Sequence, residues 1–476
     1  VSPEYTTYEI ARNIVDSLVA ETPSGKFVPW LATSWTVSPN AEQYTFNLRQ
    51  GVTFSDGTSF NAAAVKANFD RIVNPATKSE FSASLLADYT STTAVSPYVA
   101  QVNFSAPDAS FLAALSTTYL GIESPSSWAK LAPCAPPIGS GPFVSVAYTA
   151  QENDTLQRSP VPYKWAPSTD QNQTGSAYLD QIKFEMVTGD SVRTGGLTSG
   201  QFQYAEGIPP TEVASIKGQG YPVIDASQSG MVYSYQINTT IPPLNDIKVR
   251  EAVTDAIDTA GIVKALYDDN FKLAHNTLSS TTPDLPIFNT PLPYNPAKAE
   301  AILNADGWSK KNSAGVREKD GQLLSITLLS ADVRYQRQSV DLLAQQELQK
   351  VGFQVILDKP SLSAASSGND PGLEGVAYIL VSPYIMFDFF TPGGGYTDIT
   401  KTNDPAITAK LEAANAQTNP AKATVLYGQA EKLVEAYYAT VPVNELTRLD
   451  ATSPKLHGVE LDAAKFQYFE SAWLAK

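Results

Sequence analysis

Residues 31–73, LATSWTVSPNAEQYTFNLRQGVTFSDGTSFNAAAVKANFDRIV, leave this chain little freedom in how it folds. In YTFNLR the apolar Tyr44, Phe46 and Leu48 alternate with Thr45, Asn47 and Arg49, the period-two pattern of a strand with one buried face. Ser55-Asp56-Gly57 supplies turn chemistry, with Gly57 free to take positive φ. Asn61 reads as a helix N-cap, and Val65, Phe69 and Ile72 follow at helical spacing, so one stripe faces a core while Lys66, Asp70 and Arg71 face water. Strand, tight turn and helix in succession predict an α/β chain.

The rest of the chain repeats that alternation. Residues 5–19 place Tyr8, Ile10, Ile14, Val15 and Leu18 at three- and four-residue intervals, which predicts an amphipathic helix. YVAQVNF puts Tyr98, Ala100, Val102 and Phe104 on one strand face, and a short helix follows through FLAALS. Gly139-Ser140-Gly141-Pro142 predicts a turn where the chain changes direction. A strand through Tyr233, Tyr235 and Ile237 leads by a Pro-rich loop to a helix from Val249. LLSITLLS, the helix with Val340, Leu343, Ala344 and Leu348, and GFQVIL form a βαβ unit. Two further helices and a Val-Pro-Val strand start close the C-terminal third.

Composition narrows the function. With 476 residues the chain exceeds what one core usually holds, so two or three domains are expected. A net charge of −15, with no Lys/Arg run, argues against nucleic acid and anionic membrane surfaces as partners. A lone Cys134 rules out an intramolecular disulfide, and His275 and His457 stand far apart without ligand companions, so no metal and no cofactor are expected. No apolar run approaches the ~20 residues of a membrane span. No Gly-x-Ser-x-Gly elbow is present, and Cys134 lies in a Pro-rich loop with no His near it in sequence, so no catalytic residue is assigned. A pair of glycosidase acids leaves no such signature, so a hydrolase stays open as the reading from a different class.

The segments LATSW, YTFNLRQGVTFSDGTSFNA and VKANFDRI resemble the opening signature of one family, the extracellular solute-binding proteins, family 5, which serve ABC importers of peptides, nickel and some oligosaccharides. The resemblance extends through Gly139–Phe143, with Ser140 where Thr is usual, through RSPVPYKWAP, and through Asn238, Arg250, Ala252, Ala256, Ile257 and Asp258. It continues in PYNPAKAEAILNADGW and spans nearly the whole chain. It implies a periplasmic-binding-protein-like α/β fold (type II, cluster C): two hinged lobes plus an inserted extra domain. The implied layout is a discontinuous N-terminal lobe of residues 1–35, 166–238 and 450–476, an inserted domain of 36–165, and a C-terminal lobe of 239–449.

The resemblance further implies a monomeric receptor outside the cytoplasm, periplasmic or lipid-anchored at the outer face of the cell membrane. The chain starts in mature-looking sequence, so a leader or anchoring segment is expected to have been removed. The receptor captures a small solute between its lobes and hands it to a membrane permease. A dipeptide- or oligopeptide-like solute is the first expectation, and an oligosaccharide or other neutral solute the alternative. Three segments are expected at the cleft. Arg334 and Tyr335 occupy the loop that in dipeptide binders supplies an Arg for the ligand carboxylate and a Tyr wall. Ser382, Tyr384 and Asp388 lie in the loop where peptide binders hold the α-amino group with an earlier Asp, and no acid precedes Asp388 here. Tyr233 is the third candidate, on the strand after Ser227.

Overall fold

The computed structural model describes residues 5–22, 24–128, 135–169, 175–267, 269–283, 285, 292–330, 336–359, 372–393 and 398–476. The constraining stretch folds as its pattern requires. Strands Ala32–Val37, Gln43–Leu48, Val99–Phe104 and Tyr89–Ser96 pair antiparallel in that spatial order. Helix Ala62–Val73 packs against them, and the Asn61 side chain accepts from the Ala64 N–H at 3.1 Å. Tyr44, Phe46, Phe69 and Phe104 meet Phe111, from the short helix Phe111–Ser116, edge to face at 4.8–6.3 Å.

A second sheet, Gln354–Asp358, Ser325–Leu329, Leu373–Ile379, Gly230–Ile237 and Thr440–Asn444 in spatial order, forms the core of the C-terminal half. Its first three strands run parallel, and helix Arg337–Lys350 connects Ser325–Leu329 to Gln354–Asp358 as the βαβ spacing predicts. The Arg250 guanidinium donates to the carbonyls of Leu244 and Tyr437 and lies 4.6 Å over the Tyr437 ring, so this signature residue is a clamp within the scaffold.

The remaining sheet of consequence is small, with Thr447–Thr452 between Tyr204–Ala205 and Val223–Ser227. Strand pairing moves two edges of the expected layout. Gly230–Ile237 was assigned to the N-terminal lobe but is an inner strand of the five-stranded sheet, buried along its length. Thr447–Thr452, which begins ahead of position 450, pairs along its length with Tyr204–Ala205 and Val223–Ser227. Alternation along one strand gives its buried face and says nothing about its partners. The chain therefore crosses between the sheets at 228–229 and again at 445–446, and the two crossings lie side by side, the Gln228 N–H donating to the Leu446 carbonyl at 2.9 Å. At the first crossing Gly230 takes φ +111°, and a Cβ there would sit 2.3 Å from the Tyr378 carbonyl oxygen.

Two local expectations change. The N-terminal helix spans only Tyr5–Ala11. Beyond it the carbonyls of Asn13 and Ile14 accept from the Phe143 and Gly141 N–H groups, which takes that backbone out of a helix. Gly139 and Gly141 serve this close approach and not a left-handed turn, since a Cβ on either would lie within 2.6 Å of the Ile14 carbonyl oxygen. Asp16 completes the joint by accepting from Ser140 Oγ at 2.7 Å, Trp165 Nε1 at 2.8 Å and Tyr163 OH at 3.0 Å.

Chain ends meet around Arg448, which is buried. Its guanidinium donates to Glu9, Asp450, Gln467 Oε1 at 2.7 Å and the Lys465 carbonyl at 3.2 Å. Replacing Arg448 with Met strands the buried acids Glu9 and Asp450, and is expected to lower stability in urea denaturation by about 3–5 kcal/mol; an unchanged midpoint would contradict this. Burial pushes several other carboxyls up, Asp16 and Asp108 to about 6, Glu374 and Glu431 to about 7, Glu470 to about 8. Between their ordinary values near 4 and these raised ones the folded chain holds more protons than the unfolded chain, so stability falls as pH rises through that window. The thermal midpoint should be higher at pH 5 than at pH 8, and a flat or rising profile would contradict the burial argument.

Candidate functional site

The paired crossings frame a cavity of about 330 Å³. Its lining comes from parts of the chain far apart in sequence: Glu21 and Thr22 at the end of strand Val19–Glu21, Ser227 and Ser229 at one crossing, Val381 after strand Leu373–Ile379, and Lys465 from the C-terminal segment. A space at the base of two hinged halves, bounded by both, changes shape when they move. Its volume is at the small end of ligand pockets.

Beside it, an aromatic cluster joins the halves. The Tyr119 ring meets Tyr8 at 4.4 Å, Phe81 at 4.8 Å and Phe466 at 6.1 Å, and Phe81 meets Tyr378 at 5.7 Å. The Tyr119 hydroxyl donates to the Ile379 carbonyl at 3.2 Å, from the inserted domain to the large sheet. Burial, followed by nearby anionic groups, pushes this hydroxyl well above its ordinary value, so it stays a donor. Ser116, just before Tyr119, donates through Oγ to Glu21 Oε2 at 3.3 Å. Arg12 donates to Asp462 at 2.8 Å, Ser17 Oγ at 3.1 Å and the Ser116 carbonyl at 3.1 Å, so it ties the N-terminal segment to the C-terminal segment and the inserted domain.

A larger space, about 590 Å³, lies in the first lobe between strand Gln181–Glu185 and helix Asp190–Thr198. Its cations are committed: Arg193 to Asp190 and to the carbonyls of Val187, Glu206 and Gly207, and Lys183 to Glu185. Apart from Gln336, the described residues of its wall come from 179–210 and 456–474. The smaller cavity is the better candidate on these grounds.

The residues expected from sequence fall in different places. Arg334 and Tyr335 lie outside the described residues, as does Cys134. The cavity wall reaches Val381, next to Ser382, whose Oγ accepts from the Tyr384 N–H at 3.2 Å. Tyr384 is buried and stacks on Phe387 at 5.6 Å. Asp388 is buried and accepts from Ser84 Oγ at 3.3 Å, a contact between the C-terminal half and the inserted domain; desolvation pushes its carboxyl well up. Tyr233 is not part of the cavity lining: its hydroxyl donates to Asp341 at 3.0 Å, beside that of Tyr235, and Arg337 lies 4.6 Å over its ring. Its place in the inner strand commits it to the helix Arg337–Lys350. Glu21, Tyr119, Tyr378 and Lys465 were not singled out from the sequence, and Tyr8 was named only as part of a helical pattern. Each sits in a segment with an ordinary pattern, and only the folded chain brings them together.

Comparison with known proteins agrees with this architecture. The model of the bacterial extracellular solute-binding proteins, family 5 Middle, matches residues 26–423. The glutathione-binding protein GsiB of Salmonella typhi is 26% identical over 467 residues, covering 94% of this chain and 86% of the relative. The oligopeptide-binding protein AppA from Bacillus subtilis, solved with a nonapeptide, superposes with a TM-score of 0.86 at 19% identity, covering 100% of this chain and 95% of that one. NikA from Brucella suis, solved with Fe(III)-EDTA, gives a TM-score of 0.82 at 23% identity, covering 100% and 96%. Among the described residues no helix is long and apolar enough to cross a membrane. The fold is that of the type II periplasmic binding proteins, and the chain belongs to family 5 of the bacterial extracellular solute-binding proteins.

Proposed function

We propose that this protein is the extracytoplasmic receptor of an ABC importer, and that it captures a short peptide-like solute in the 330 Å³ cavity by closing its lobes. The observation that carries the reading is the position of that cavity at the two hydrogen-bonded crossings, with walls from both halves. Its size suits a solute of two or three residues better than a long peptide. Relatives that bind glutathione and a nonapeptide support the class. Capture and release to a permease require no covalent step, so no residue is given a catalytic role. Closure supplies affinity by desolvating the solute against the cavity lining, Val381 included, and the closed form is what the permease recognises.

Thermal denaturation against glutathione, dipeptides and tripeptides, a nonapeptide and neutral oligosaccharides tests the proposal. A true ligand present at 100 times its Kd stabilises by about 2.7 kcal/mol, enough for a clear rise in Tm. Glutathione-sized peptides should give that rise; a response to oligosaccharides alone would overturn the peptide reading. Steady turnover of chromogenic esters or glycosides would overturn the receptor reading. Tyr119→Phe removes the hydroxyl that spans the halves, a loss of roughly 0.5–1.5 kcal/mol from the closed form. Calorimetry should then show affinity weakened by roughly 2- to 10-fold, and unchanged affinity would separate this contact from closure.

A further inference from the structure

Lys465 stands out among the residues around the cavity. It lines the space and carries a positive charge, yet no ion pair or hydrogen bond of its ammonium is found among the described residues. The cation Arg12 is engaged by Asp462, Ser17 and the Ser116 carbonyl, and the acid in the lining, Glu21, accepts from the Ser116 hydroxyl at 3.3 Å. A lysine lining a cavity that excludes water as it closes acquires a demand for an anionic partner.

The backbone shows that this placement is built. Lys465 takes φ +66°, a left-handed conformation that a side chain with a Cβ disfavours. Three bonds hold it there: its N–H donates to the Asp462 carbonyl at 2.9 Å, the Asp462 N–H to the Phe466 carbonyl at 2.9 Å, and the buried Arg448 to the Lys465 carbonyl at 3.2 Å. Asp462 is itself anchored by Arg12 at 2.8 Å. Lys465 is thus fixed at the end of the hairpin loop that joins 460–461 to 467–468, in a conformation that costs energy and on a frame of buried ionic groups, where it lines the cavity.

We propose that Lys465 is a specificity-determining residue that receives an anionic group of the solute, and that the cavity therefore selects carboxylate-bearing over neutral ligands. The inference rests on the cavity being the solute site, as proposed above, but not on the solute being a peptide.

The test is calorimetric titration of wild type, Lys465→Gln, Lys465→Arg and Lys465→Gly with four probes: trialanine, trialanine amide, glutathione and Fe(III)-EDTA. Wild type should bind trialanine about tenfold or more tighter than its amide, Lys465→Gln should erase that preference, and Lys465→Arg should keep most of it. Lys465→Gly removes the charge while relieving the backbone, so affinity lost without a fall in Tm separates charge from folding. If the tripeptides fail but Fe(III)-EDTA binds in a Lys465-dependent way, the peptide reading falls and this inference stands. If Lys465→Gln leaves the affinity of every acidic probe unchanged, or if no acidic probe binds, the inference is overturned, while the receptor reading is decided by the thermal panel.

Discussion

One buried guanidinium, that of Arg448, sets the geometry of the molecule's working end. It lies between the N-terminal helix, through Glu9, the small sheet, through Asp450, and the C-terminal segment, through Gln467 and the Lys465 carbonyl. Taking three charges out of water is expensive, and only dense pairing offsets the penalty. Hydrophobic residues in place of Arg448, Glu9 and Asp450 together could match the stability but could not fix three chain segments in one register. The cavity inherits this precision, because two of its charged lining residues, Glu21 and Lys465, are connected to that frame through Arg12, Ser116 and Asp462.

Mobility is confined by the same construction. Two crossings, side by side and joined by the Gln228–Leu446 bond, connect the large sheet to the N-terminal lobe. Bending there requires changes at few backbone dihedrals, and Gly230 already occupies a conformation that other residues avoid. Among the described residues the contacts away from the hinge include a hydroxyl–carbonyl bond from Tyr119 to Ile379, a hydroxyl–carboxyl bond from Ser84 to Asp388, bonds joining Asn415 to Pro107 and Ala109, one from Asn270 to Pro210, and aromatic edges. Each is modest alone, so a solute that adds to them can decide the balance between open and closed forms.

Much of this was legible in the sequence. The period-two run at 43–48, the Asn61 cap and the βαβ unit around helix Arg337–Lys350 are local patterns, and local physics decides them. The family was legible because its matching segments are long and ordered along the chain. What stayed hidden is tertiary. The apolar spacing of residues 5–19 looks helical throughout, but the carbonyls of Asn13 and Ile14 are claimed by a segment more than a hundred residues later. Gly139 and Gly141 read as turn residues and are instead spaces for another backbone. Tyr233 read equally as a core-facing residue or a cleft wall, because alternation gives a face without naming what covers it; its hydroxyl donates to Asp341. Lys465 gave no signal, since the hairpin loop of 462–466 that sets its left-handed backbone carries no glycine or asparagine at that position and the loop's seat on Arg448 and Arg12 is tertiary.

The central claim is that capture works by closing two halves about the 228–229 and 445–446 crossings. Small-angle scattering of the purified protein, with and without the solute that raises its Tm most, tests this directly. The account predicts a smaller radius of gyration and maximum dimension at saturation, with the change abolished when the solute is removed by dialysis. Identical scattering curves at proven saturation would contradict it, and would mean that the cavity fills without any movement of the lobes.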